Sequence, residues 1–564
     1  MRWFIPTESK SINLSAKGRE RNITKLQREQ FDILVIGGGI TGAGVARDAA
    51  LRGFKTALID KADFCSGTSS KSSKLVHGGF RYLNNLEFGL VHESLMERKI
   101  LMEIAPHLVH PIHCLLPLHG HNSKPAWMIH IGLFLYDFLS FTKRIGYHKI
   151  LSRNEIQNLE PLLRQDDLKK VALYYDCQAD DFRLAMANLQ SSALGGAVIA
   201  NYVKAVDILE ENGQVVGIQA MNEISSKAFP IHSRLIANAT GPWCDYLRQA
   251  LLKNSQHRVR TTKGIHLVIH REDLPISHTI LGQAVQDGRY IFAVPWRQFV
   301  FLGTTDTDYD GDPDHIPTER SDVDYLLDAF NHYFPDANLN DDKIISTFAG
   351  LRPLTYEEGR TASSVTREYQ IFEQPRNFFN IIGGKLTTYR TMAKEMVNRM
   401  TKRLEKSFDI SPANPNCITD QIPLYGGDIS NYSEFLDKWK KELTNQNHID
   451  PDIAEHLIES YGSRFPDVLE CLEKTSNGKE RFLPGLPYIW GELDYALEHE
   501  MTMALDDFLI RRTHLFSLDR KQALDVHEEI ASQLTKKLDW SEEEKQAQIE
   551  RYKTKIEITR KYLK

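Results

Sequence analysis

The chain has 564 residues, 41% of them hydrophobic and 26% charged, with a formal net charge of −6. These values describe a soluble globular protein of about two to four domains and give no electrostatic footprint for nucleic acid. Six cysteines are scattered without a C-x-x-C pair, which excludes a disulfide framework or zinc cluster and points to a reducing, cytoplasmic setting.

No apolar run is long enough to cross a bilayer. Met1–Gln30 is polar and lacks the apolar centre of a secretory signal, so it predicts a leader with a short helix. An apolar strand follows, Phe31–Ile36, then Gly37-Gly38-Gly39-Ile40-Thr41-Gly42, a small-residue helix, and a second strand, Phe54–Ile59, closed by Asp60. A G-x-G-x-x-G is informative only between a strand and a helix with an acid closing the next strand, and that context is present. Gly37 permits the tight turn, Gly39 the approach of backbone to a pyrophosphate, and Gly42 the close packing of helix on strand. The helix N-terminus favours phosphate. Asp60, 18 residues beyond Gly42, suits a ribose hydroxyl. A dinucleotide, NAD or FAD, is expected here.

Phe64–Lys74 is small, hydroxylated and basic. Its Thr68, Ser69, Ser73 and Lys74, with Leu75 just beyond, are expected to line the cofactor. In His77-Gly78-Gly79-Phe80-Arg81-Tyr82 the paired glycines predict backbone packed closely on something flat or charged. Glu87–Ala105 is helical in pattern. His107, His110 and His113 follow, but Pro111 breaks any helix there, so they read as loop histidines and not as metal ligands. The most lipophilic segment, Trp127–Phe141, predicts a buried helix in preference to an interfacial one lying on a bilayer.

Asp180 is the expected N-cap of a helix through Ala193. The strand Val203–Leu209 carries Val203 as a cofactor contact, and Asn212-Gly213 marks a hairpin. The run Leu235–Trp243 is a second strand-to-glycine turn opening a helix; in flavin folds of this layout such a turn returns the chain to the cofactor, so Thr240 and Gly241 are expected contacts. Arg260–Tyr309 reads as short antiparallel strands of a lid or substrate domain. Asp306, Asp308, Asp310 and Asp312 lack the calcium-loop glycine and glutamate, so they read as a solvated acidic turn. Phe378–Ile382 is a strand. Gly383-Gly384-Lys385-Leu386-Thr387 then opens a helix, placing Gly384, Leu386 and Thr387 where free N–H groups meet an anion or a polarised carbonyl. Beyond Lys406 the chain becomes charge-rich and helical after a linker-like Ser411–Pro415. No second G-x-G-x-x-G appears for a bound nicotinamide. The hydroxyl-rich run and the late Gly383-Gly384 turn favour FAD stretched across the domain.

Together, the motifs Ile36–Gly44, Thr68–Leu83, Asn238–Trp243, Thr262–His266, Gly303–Asp306 and Gly383–Arg390 resemble the FAD-dependent glycerol-3-phosphate dehydrogenases, over roughly Phe31 to Arg390 and with a fitting helical C-terminus. The first and third motifs occur broadly in flavoproteins; the others are more specific. The resemblance implies an α/β fold: a Rossmann-like FAD-binding domain of glutathione-reductase type interleaved with an antiparallel-sheet substrate domain, plus an α-helical C-terminal domain. Residues 1–30 form the leader, 31–80, 168–245 and 346–405 the FAD domain, 81–167 and 246–345 the substrate domain, and 406–564 the helical domain. It implies oxidation of sn-glycerol 3-phosphate to dihydroxyacetone phosphate, with electrons passed to a quinone. A homodimer and peripheral contact with the cytoplasmic membrane face are further expectations.

The substrate phosphate is close to a dianion and needs fixed cations. Arg81, Arg352 and Lys385 each sit beside a Gly- or Pro-marked turn, and by resemblance they converge on the substrate with Tyr82. His77 and His266 are the candidate bases, and Arg352 is placed to stabilise an alkoxide. Other outcomes are an oxidase of the same substrate that uses oxygen, an amine or amino-acid oxidase, and a flavin-binding sensor without turnover.

Overall fold

The computed structural model describes residues 13–85, 87–119, 126–140, 145–251, 256–357 and 368–564. Two large sheets and a helical C-terminal region make up the fold.

The first sheet has eight strands. Its parallel centre runs Phe378–Gly383, Lys227–Asn238, Gln30–Ile36, Thr56–Ile59, Val198–Ala200. Phe31, Ile33, Leu34 and Val35 are fully buried, because a parallel strand is covered on both faces and its apolar residues need not alternate. The helix Ile40–Leu51 lies across this centre and packs on the helices Asp181–Leu194 and Tyr389–Phe408. The expected hairpin is present: Glu211 pairs with Gln214, and Asn212 and Gly213 both take positive φ, as a two-residue type I′ turn requires.

The second sheet has ten strands and is mostly antiparallel, with one parallel pair between Thr279–Gln283 and Val109–His119. Strands 75–76, 168–179 and 344–355 join this sheet, so the chain crosses between the sheets several times. The pairing that matters most is Val259–His270 with Ile344–Thr355, which sets Thr262 opposite Arg352 and His266 opposite Phe348.

The C-terminal helices dock on the cofactor sheet through buried charge. Asp63 is fully buried and accepts from Arg511 Nε at 2.5 Å and from Arg512. Burial alone would raise its carboxyl, but the Arg512 and Arg511 guanidiniums hold it below the ordinary value. Removing one partner from such a set costs about 3–5 kcal/mol, because it strands a buried charge. The Ser411–Pro415 linker is anchored by Asn414 N–H donating to Arg52 O at 3.1 Å.

Three expectations are corrected. His110 and His113 lie on the strand Val109–His119, and His107 just precedes it, fully enclosed. Pro111 is tolerated because only the strand Leu168–Ala179 pairs there; the parallel neighbour begins at Cys114. The acidic run is not simply solvated: Asp306 pairs with Arg352 and Asp308 with Arg260. Finally, the lipophilic segment is the helix Ala126–Leu139, buried on one side only. Ile129, Leu133 and Tyr136 face the protein, while Trp127, Ile131, Phe134 and Phe138 are 56–64% exposed. Among the described residues, no helix is long and apolar enough to cross a membrane.

His107 gives a stability prediction. Burial, then neighbouring His110, pushes its imidazole down to about 3. In the unfolded chain it titrates near ~6.5. Between these values the unfolded state binds the extra proton, so the His107 contribution to stability rises with pH through that window and is complete above it. His107→Gln is expected to reduce the pH slope of unfolding free energy between pH 4 and 6 by about 1.4 kcal/mol per pH unit. Urea unfolding of both proteins at several pH values checks the difference in slope, whatever the constant offset.

Candidate active site

A cavity of about 480 Å3 opens along the C-terminal edge of the parallel strands. This is the size of a ligand site and the place where open α/β sheets bind cofactors. Its floor is Gly37, Gly39, Ile40 and Thr41 at the start of the helix Ile40–Leu51. No side chain caps that helix at Gly39. A Cβ on Gly37 would stand 2.7 Å from Ala239 O, and one on Gly39 would stand 3.0 Å from Ser69 Oγ. The bare glycine floor at this helix N-terminus fits a pyrophosphate.

From this floor the cavity runs one way to Asp60 and Val203 and the other way to Gly384, Lys385 and Leu386. Asp60 accepts from Gly38 N–H at 2.7 Å and Ala62 N–H at 3.0 Å, and burial pushes its carboxyl up to about 6. Thr68, Ser69, Thr240 and Gly241 line the walls. Ser69 Oγ accepts from Ile40 N–H at 2.9 Å, and Thr68 Oγ1 donates to Leu351 O at 2.6 Å, tying the hydroxyl-rich loop to both sheets. A cavity with a phosphate cradle between its two ends and an acid at one of them fits FAD.

The remaining expected contacts lie elsewhere. Gly42 does not line the cavity: a Cβ there would stand 1.9 Å from Gly37 O, so its part is packing. Leu75 is buried in the short strand opposite Gln178. Lys74 takes φ 56°, which turns its side chain away; Nζ donates to Asp181 at 2.6 Å. Ser73 Oγ sits 2.8 Å from His266 Nε2, and Thr387 Oγ1 accepts from His77 N–H at 3.1 Å. The segment Ser73–His77 thus runs between two groups of residues, one at each of its ends.

At one end, His266 is buried and stacked on Phe348, with ring centroids 4.7 Å apart. Burial, then the positive charges of Arg352 and Lys74, push its imidazole down to about 3, so it is neutral at physiological pH. Arg352 is held as a fork: one terminal nitrogen donates to Asp306 at 3.1 Å, the other to Thr304 Oγ1 at 2.9 Å and Thr305 O at 3.1 Å. At the other end, Lys385 Nζ donates to Ser94 Oγ at 2.6 Å and lies 4.7 Å from the ring centroid of Tyr82. Arg81 belongs to the short helix Phe80–Asn85, but its side chain lies outside the described residues.

The supporting residues Asp306, Thr304, Ser94 and Phe348 were not anticipated as parts of a site. Asp306 and Thr304 stand inside the motif Gly303–Asp306, which was a usable signal. Ser94, within an ordinary-looking helix, gave none.

Residues 32–399 match the family model described as FAD dependent oxidoreductase, and residues 417–545 match the C-terminal domain of alpha-glycerophosphate oxidase. The aerobic glycerol-3-phosphate dehydrogenase of Staphylococcus aureus strain bovine RF122 / ET3-1 is 38% identical over 550 residues, covering 96% of this chain and 97% of its own. Among solved structures, the glycerol-3-phosphate dehydrogenase of Bacillus halodurans complexed with FAD superposes with a TM-score of 0.81 at 32% identity, over 97% of this chain and 98% of that one. The L-alpha-glycerophosphate oxidase of Mycoplasma pneumoniae shares the fold, with a TM-score of 0.54 at 18% identity over 70% and 99% of the two chains. A Rossmann-type cavity with its glycine floor and two flanking groups of polar residues is thus joined to an end-to-end sequence match: the chain belongs to the FAD-dependent oxidoreductase family.

Proposed function

We propose that this chain oxidises sn-glycerol 3-phosphate to dihydroxyacetone phosphate and passes the electrons to a quinone. One observation carries the reading: similarity to aerobic glycerol-3-phosphate dehydrogenases extends over both the cofactor region and the C-terminal domain, at 38% identity. FAD, when bound, would supply a two-electron acceptor for the hydride from substrate C2. Gly37, Gly39, Asp60, Ser69 and Gly384 would hold it.

The substrate is oriented by charge. Arg352 offers a planar fork, preorganised by Asp306 and Thr304, and Lys385 offers a point charge steadied by Ser94 and Tyr82. His266 takes the C2 hydroxyl proton. In the empty pocket it is a weak base, because burial and Arg352 oppose its charge. A phosphate dianion on Arg352 cancels part of that field, so substrate binding itself raises the basicity of His266. Ser73 Oγ, 2.8 Å from Nε2, fixes the ring orientation.

Amino-acid oxidation shares the fold but not the C-terminal match. Use of oxygen is the reading that the C-terminal match to alpha-glycerophosphate oxidase favours as an alternative. The helix Ala126–Leu139 argues for quinone: its exposed Trp127, Ile131, Phe134 and Phe138 form an apolar face suited to the bilayer interface, where quinones dissolve. In phosphatidylglycerol–phosphatidylcholine vesicles loaded with quinone, glycerol 3-phosphate is expected to reduce the quinone without releasing stoichiometric hydrogen peroxide. Phe134→Asp/Phe138→Asp is expected to lower vesicle sedimentation and quinone reduction at least about tenfold, while turnover with a water-soluble dye stays within about twofold. Stoichiometric peroxide would instead establish the oxidase, and an unaffected double variant would remove the membrane contact.

A further inference from the structure

A second, smaller cavity of about 150 Å3 lies behind the hydroxyl-rich loop. It shares Ser66, Trp243, Pro313 and Asp314 with the cofactor cavity. Trp296, Phe301 and Phe348 of the second sheet form one wall, and Ile510, Phe516 and Ile558 of the C-terminal region another.

Besides Lys74, which is paired with Asp181, two lysines, Lys71 and Lys555, line this hollow. Among the described residues, neither ammonium has a hydrogen-bond or ion-pair partner. The acids around the cavity are already engaged. Asp314 accepts from Lys61 at 2.6 Å, Asp506 from Arg551 at 3.0 Å, and Asp63 from Arg511 at 2.5 Å. The other cations bring their own carboxylates: Lys74 has Asp181, and Arg511 has Asp63 and Asp507. The wall therefore carries two surplus positive charges facing one space. The strain shows in their titration. Burial, then Lys555 and Arg511, lowers Lys71 to about 8 against the pull of Asp314; burial, with Arg551 and Arg511, lowers Lys555 against the pull of Asp506 and Asp314.

Like charges held together in a partly dry hollow repel, and a bound anion turns that repulsion into attraction. We propose that this cavity binds a small organic anion, a phosphate or carboxylate carried on a flat apolar body. Lys71 and Lys555 meet the charged end, with the hydroxyl of Ser66 as a further donor. Trp296, Phe301 and Phe348 take the flat end by aromatic packing. The volume is below the ~300–1,000 Å3 of sites for larger ligands, which excludes a nucleotide. This site is separate from the substrate cations Arg352 and Lys385, neither of which lines it.

The test is calorimetric titration of the FAD-loaded full chain with phenyl phosphate, with dihydroxyacetone phosphate present to fill the substrate pocket. One saturable site is expected. Lys71→Met/Lys555→Met should weaken it by at least roughly 10- to 100-fold, and benzyl alcohol, the uncharged counterpart, should bind at least about tenfold more weakly. Absence of saturable binding, equal affinity in the double variant, or equal binding of benzyl alcohol would each overturn the proposal. Should the double variant not fold, Lys71→Met alone and the benzyl alcohol comparison decide the matter in the same way.

Discussion

Arg352→Ala is expected to lower kcat/KM for glycerol 3-phosphate by about 10²–10³-fold, the ~3–4 kcal/mol lost when a preorganised donor to the developing charge is removed. The guanidinium is committed to its position before substrate arrives, because Asp306, Thr304 and Thr305 grip both terminal nitrogens. Arg352→Lys should recover little of this, since a point charge cannot reproduce the fork. The flavin content should not change, because Arg352 does not line the cofactor cavity. A further sign belongs to this variant alone. Arg352 helps to hold His266 deprotonated, so its loss should move the histidine back toward its ordinary value. Steady-state kinetics with flavin absorbance on the same preparations make the check. Unchanged kinetics would remove Arg352 from the site.

Gly42→Ala is expected to act on the other half of the molecule, with little or no FAD retained. The new methyl carbon would stand 1.9 Å from Gly37 O and 3.3 Å from a Val35 methyl. Neither neighbour is the far end of a flexible side chain. Relief requires the helix Ile40–Leu51 to lift off the sheet, but that helix is buried along most of its length against two others. Overpacking of this kind costs typically 1–3 kcal/mol and more where backbone is the obstacle. The lifted helix would also carry the phosphate floor away from the cavity. Gly89→Ala is the control: it lies in the exposed first turn of the helix Phe88–Ile104, nothing stands within 4 Å of its Cβ position, and stability should be unchanged or rise by about 0.4–1 kcal/mol. Thermal melts and flavin content after gel filtration measure both. A Gly42→Ala protein that keeps its FAD and melts with the parent would show that the contact yields.

The cofactor loop was legible in the sequence because its glycines answer to backbone sterics within a few residues. Gly37, Gly39 and Gly42 have local reasons that any strand–turn–helix imposes, and the apolar runs around them reveal the two strands. The hydroxyl-rich loop was legible only in part. Thr68 and Ser69 face the cavity, but Lys74 takes a left-handed backbone and turns to Asp181, more than a hundred residues away. Composition carries no sign of that reversal. Arg352 and Lys385 could be singled out by their neighbouring glycines and proline, whereas the groups that steady them could not. Asp306 looked like one of four solvated acids because its partner lies 46 residues downstream. The helix Ala126–Leu139 shows the same limit. It is apolar nearly all round, and such a pattern cannot tell whether the second face meets protein or solvent. Lys71 is the sharpest case: in sequence it is one more residue of a polar run, and only the fold sets it against Lys555.

The central claim is that glycerol 3-phosphate is the reductant of the flavin in this chain. Anaerobic stopped-flow mixing of the FAD-loaded protein with sn-glycerol 3-phosphate tests it without any assumption about the second acceptor. Rapid, saturable loss of the oxidised flavin band is predicted, with no such loss on mixing with glycine, proline or glycerol. A flavin that stays oxidised with glycerol 3-phosphate, or that is bleached only by an amino acid, would contradict the account.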